Sequence, residues 1–134
     1  MSRPLSSRVL SVAVAAGLAY DAYVHLHLAP VYAAVGSTVS QGALFRVEAA
    51  LAIISALLVL VSDSRLAWAA AGLTGLGGFA AVVLYRYVDV GAIGPIPNMY
   101  EPAWYGEKTW SAIAEGAVAV LWLTREAARG VRRQ

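Results

Sequence analysis

The chain has 134 residues, of which 60% are hydrophobic and only 13% charged, and it carries a formal charge of +2. Water-soluble domains devote about a quarter of their residues to charge, so lipid is the solvent for most of this chain, and so small a net charge argues against a nucleic-acid partner. The absence of cysteine removes disulfides, dithiol redox chemistry, iron–sulfur clusters and covalent haem attachment together.

Four apolar runs follow one another within a single transmembrane domain over 1–134, at residues 9–29, 43–61, 66–88 and 108–124. The first three have the length that crosses the hydrocarbon of a bilayer at about 1.5 Å per helical residue. The fourth is shorter, but Trp110 and Trp122 can mark its interfaces and Arg125 can snorkel. Each must be helical, because lipid cannot satisfy an unpaired backbone. Arg3 and Arg8 before an apolar stretch ending Ala16-Gly17-Leu18-Ala19 also resemble a cleavable signal peptide. The apolar run continues well past that point, which favours a span. The expected fold is all-α, an integral membrane four-helix bundle running up-down-up-down.

Basic residues set the orientation. Arg3, Arg8, Arg65, Arg125, Arg129, Arg132 and Arg133 fall on one side, against Arg46, Arg86 and Lys108 on the other. The positive-inside rule then places both termini in the cytoplasm of a bacterial inner-membrane protein, with the connection 30–42 and the loop 89–107 facing outward. Gly72, Gly75, Gly77 and Gly78 give the third span a small-residue surface for close packing. That surface suits packing within the chain, or a seam between copies.

The polar residues collect towards the outer side. Asp21 and His25 lie near the outer end of the first span, Arg46 and Glu48 near the start of the second, Arg86 and Asp89 at the end of the third, and Lys108 and Glu115 in the fourth. Ionisable groups at this depth cost at least ~2.5 kcal/mol each on insertion scales, so they face a cavity or one another and mark function. Acids outnumber bases in this half, which suits a cation, a metal ion or exchangeable protons. Asp21 and His25 are spaced i,i+4 and share a helical face. His27 projects nearly opposite His25 and belongs to the interface. Lys108, Ser111 and Glu115 align along the fourth span, and Arg86 and Asp89 can pair locally.

Three readings of this set stay open. One is an ion-pair network of Asp21, Glu48 and Glu115 against Arg46, Arg86 and Lys108. A second is a ligand pocket formed by Asp21, His25, Glu48 and Glu115 with Arg46, Arg86, Glu101 and Tyr100. A third is a divalent-metal site of His25 with Asp21, Glu48 or Glu115. Haem is disfavoured, because one helix cannot present His25 and His27 as two axial ligands. The loop Gly91–Glu107 contains Pro95, Pro97 and Pro102, which forbid a regular helix. Its Ile96, Met99, Tyr100, Trp104 and Tyr105 need an apolar surface, which the mouth of the bundle or the headgroup level can supply.

Four short spans without a soluble domain resemble the small bacterial membrane proteins of the DoxX-like kind. The segments Tyr85-Arg86-Tyr87-Val88-Asp89-Val90-Gly91 and Gly94-Pro95-Ile96-Pro97-Asn98-Met99-Tyr100-Glu101-Pro102 resemble signatures of an actinobacterial group. The resemblance implies the architecture and a link to quinone or redox partners, though no cysteine supports a thiol version of that role. It carries over no catalytic residue. The expected function is an accessory or binding protein whose net acidic outer pocket takes a small molecule, a lipid or a cation. The alternatives are a membrane enzyme acting on a lipid or isoprenoid through a His25–carboxylate pair, and an oligomeric proton- or cation-coupled transporter. A homo-oligomer or a partner membrane subunit fits any of these.

Overall fold

The computed structural model describes residues 2–134. Four helices make up a bundle: α1 (Leu5–Leu28), α2 (Gln41–Val61), α3 (Arg65–Tyr87) and α4 (Gly106–Val131). Ser40 and Ser64 start α2 and α3 by accepting the amides of Ala43 and Ala67 at 3.0 and 3.2 Å, a preferred use of serine at a helix N-cap.

Each helix packs on its two chain neighbours around the bundle, α4 closing the ring against α1, while α1 and α3 scarcely meet across it. Val14, Leu18 and Ala22 of α1, Ala49, Ala52, Ala56 and Val59 of α2, and Trp68 of α3 form the core. Alanine on facing helices lets their backbones come close. On α3, a Cβ at Gly72 would run into the Trp122 ring, and one at Gly75 would lie 2.8 Å from Val118 Cγ1. Gly72 and Gly75 thus serve packing against α4. Trp122 therefore also packs within the bundle, against Gly72.

Three of the helices, α1, α2 and α3, are long and apolar enough to cross a membrane. They also expose what a water-soluble bundle would bury, including Leu51, Ile54 and Leu57 on α2 and Leu73 and Leu76 on α3. These are the features of a membrane protein. The fourth helix continues to Val131, past the expected end of the span at 124, and Arg125 within it reaches inward, its side chain only 9% exposed.

That arginine helps tie one end of the bundle. Asp63, in the α2–α3 turn, takes hydrogen bonds from Arg125 Nη2 at 2.9 Å, Arg3 Nη2 at 3.3 Å, Ser7 Oγ at 2.9 Å and Trp68 Nε1 at 2.9 Å. Arg125 also stacks over Trp68, 4.3 Å from the ring centroid. Burial pushes the Asp63 carboxyl up, but the bonds from Ser7, Trp68 and Arg125 outweigh it and hold the group below its usual range. The opposite end carries the loops and the polar cluster.

Candidate functional site

Asp21, Glu48 and Glu115 each lie two to three helical turns in from the loop end of their helices, and they converge in one layer of the bundle. Asp21 and Glu115 are fully buried. Their i,i+4 spacing brings His25 Nδ1 to 2.9 Å from Asp21 Oδ1, and the same nitrogen lies 2.9 Å from the Asp21 carbonyl. In the neutral tautomer with Nδ1 donating there, Nε2 carries the lone pair, and this nitrogen faces Glu115 Oε1 across 4.0 Å. Ser111 Oγ reaches Asp21 Oδ1 at 2.9 Å and Glu115 Oε1 at 3.3 Å, but one hydroxyl proton cannot fully satisfy both. Glu48 joins from α2 with its carboxyl beside Asp21.

The small residues of α3 make this convergence fit. A Cβ on Gly78 would lie 2.8 Å from Glu115 Cδ, so glycine alone leaves room for the carboxyl. Phe45 meets the His25 ring edge-on at 5.0 Å and touches Tyr32 at 5.1 Å between centroids, which holds the imidazole between Asp21 and the aromatic cluster.

Above the layer is a cavity of about 230 Å³. His25, Glu48 and Ser111 form its floor, and Leu44, Phe45 and Val82 contribute apolar wall. Its loop end is formed in part by Met99, Glu101 and Tyr105. Tyr32 Oη donates to Glu101 Oε2 at 2.8 Å and lies 3.1 Å from Tyr105 Oη. The Glu101 amide is fixed on the Tyr85 carbonyl at 3.0 Å. Burial, with Tyr105 and the Glu101 carboxylate adding to it, pushes the Tyr32 phenol well above its usual range. Pro97 packs against Gly36, whose φ of +106° suits glycine, so the two loops at this end brace each other.

The expected ion-pair network is not found among the described residues. Arg46 is exposed on the outside of α2, because it points away from Glu48 two residues along a helix. Arg86 lies over the rings of Tyr87 and Trp104 at 4.7 and 5.8 Å instead of pairing with Asp89, whose Oδ1 takes the Gly91 amide and the Asn98 side chain. Lys108 Nζ donates to the carbonyls of Glu101 and Ala103 at 2.8 and 3.0 Å. Tyr100 is exposed and away from the cavity, while Glu101 lines it. His25 is thus the one basic group that the structure brings to Asp21, Glu48 and Glu115 among the described residues. His27 is on the surface, stacked on Tyr23 and 3.7 Å from Glu107 Oε2.

Sequence reasoning placed Ser111 in line with Glu115 without giving it a role, and it missed Tyr32 as the partner of Glu101. The i,i+4 spacing signals the first, but a contact between two separate loops leaves no local pattern.

Comparison with protein-family models, curated proteins and solved structures finds no match to this chain.

Proposed function

We propose that this is a multi-pass protein of the bacterial inner membrane that binds a small amphiphilic molecule, as an accessory or binding protein. In this reading α4 is the fourth span, the helices alternate in direction, and both termini are cytoplasmic. The outward-facing Trp110, Ile113, Val120 and Leu123 support α4 as a span. The DoxX-like resemblance adds agreement in architecture alone.

The cavity carries the proposal, because its floor is polar and its walls are apolar. Gly77 and Ala81 line it while being exposed on α3, which gives an amphiphile a route from the lipid between α2 and α3. The polar head would meet Glu48, His25 and Ser111, so a cationic or hydrogen-bond-donating group fits best. At about 230 Å³ the space is below the roughly 300–1,000 Å³ of drug-sized pockets. It suits a small molecule, or the head of a longer lipid whose chain leaves between the helices.

Native mass spectrometry of gently extracted protein tests this reading. A small molecule retained by the wild type and lost in Gly77→Leu, which fills the cavity from an open position, supports it. A wild type that retains nothing counts against it.

The Asp21–His25 pair favours one second reading, a membrane enzyme acting on a lipid or isoprenoid. A carboxylate on Nδ1 with Nε2 free is the arrangement of a general base. That reading requires His25→Ala to abolish turnover in a protein that still folds, and unaffected turnover would remove it.

A further inference from the structure

We infer that the polar layer beneath the cavity is a divalent-metal site, with His25 Nε2 and the Glu115 carboxylate as ligands, Asp21 orienting the imidazole from behind, and Glu48 the further acid beside them. This goes beyond the amphiphile reading, since an ion needs nothing in the cavity above it.

Three carboxyl groups from three helices meet in a layer that contains one imidazole and no lysine or arginine. Asp21 Oδ2, Glu48 Oε1 and Glu115 Oε2 are all buried without a hydrogen-bond partner, and Asp21 and Glu115 are wholly inaccessible. Buried anions of this kind must be neutralised. A divalent ion offsets two of the three charges and gives the orphaned Glu115 oxygen a partner.

Nε2 of His25 and Oε1 of Glu115 face each other at 4.0 Å, with a lone pair on each side. Two donors bound at about 2.0–2.2 Å to a common ion stand roughly 3–4 Å apart. Asp21, His25 and Glu115 each offer a donor atom within 4.8 Å of the others. Of the three, Asp21 already holds His25 Nδ1 at 2.9 Å. Carboxylate on one ring nitrogen and metal on the other is the usual way a histidine ligand is oriented and its basicity raised. Ser111 steadies both carboxyls, and Gly78 leaves Glu115 the space to reach the ion. A donor set of one imidazole and carboxylate oxygens, with no sulfur, suits Zn²⁺, Fe²⁺ or Mn²⁺. The ion would lie where it could contact the head of a molecule in the cavity.

The test uses the full chain in nanodiscs, stripped with chelator, dialysed against Zn²⁺ and analysed for metal. The surface pair His27–Glu107 is the obvious adventitious site, so the double variant His27→Ala with Glu107→Gln is the control. The expected result is one Zn²⁺ per chain, retained in the control, lost in Glu115→Gln, and bound about 10–100-fold more weakly by Asp21→Asn. Zn²⁺ should also raise the melting temperature of the wild type, a measurement that needs no variant to fold. No bound Zn²⁺ and no shift in melting overturns the site, as does binding that disappears in the control or persists unchanged in Glu115→Gln. An organic molecule retained without metal overturns this inference and leaves the amphiphile reading standing. Metal without a retained molecule does the reverse.

Discussion

Gly78 stands directly against the carboxyl of Glu115, so near that a methyl group there would lie 2.9 Å from Oε1. The neighbouring Gly77 has nothing within 4 Å of the same atom position. Gly78→Ala should therefore displace the carboxyl or the helix, at a cost of about 1–3 kcal/mol. Gly77→Ala should be neutral or stabilising by up to ~1 kcal/mol through helix propensity. Denaturant unfolding of both variants in the same detergent checks the difference. Equal effects would mean that Gly78 is not what admits Glu115 into the bundle.

Asp63 gathers Arg3, Ser7, Trp68 and Arg125 at the other end. Its folded pKa lies below the ordinary value of 3.8. Stability from this group is therefore complete above the unfolded value and disappears as pH falls through the folded one. Asp63→Asn should cost about 1–3 kcal/mol at neutral pH and flatten the acid limb of the stability profile below pH 4. An acid limb equally steep in the variant would assign that limb to other carboxyls.

The Tyr32–Glu101 hydrogen bond is one of the links between the two loops at the cavity end, beside the contact of Pro97 with Gly36. Tyr32→Phe should cost about 1 kcal/mol and speed amide exchange through residues 96–105, read by hydrogen–deuterium exchange. Alkaline pH supplies a second readout. The folded chain keeps the phenolic proton that the unfolded chain releases near its ordinary value of 10.0, so stability should decline as pH rises above that point. The phenylalanine variant should lack this contribution.

The helices were legible because lipid imposes one pattern, long apolar runs, on any segment that crosses it. Asp21 and His25 were legible for a related reason, since i,i+4 spacing is a local property of a helix. The meeting of Glu48 and Glu115 with that pair could be anticipated only as shared depth, because helix rotation depends on packing. Arg46 shows the limit: it has the depth of a site residue and faces outward. Arg86 and Lys108 were misread as counter-ions: the ring faces of Tyr87 and Trp104 and the carbonyls of Glu101 and Ala103 engage them instead, contacts that charge and depth alone do not signal. The role of Asp63 was invisible in a short turn whose partners come from α1, α3 and α4.

Orientation can be tested by a feature of the composition. The chain contains no cysteine, so a single introduced thiol reports its own location without background. The end that gathers Arg3, Arg65 and Arg125 also leads into Arg129, Arg132 and Arg133, and these charges resist translocation. The other end holds Arg46, Arg86 and Lys108, the last two engaged by ring faces and the last by carbonyls as well. Ala103 and Gln134 are both exposed and lie at opposite ends. Ala103→Cys in whole cells should therefore react with a membrane-impermeant maleimide, and Gln134→Cys should react only after the membrane is opened. The reverse pattern would invert the protein and place the cavity mouth in the cytoplasm. Labelling of both thiols from outside would mean that the chain crosses an odd number of times, with α4 lying along the surface instead of spanning.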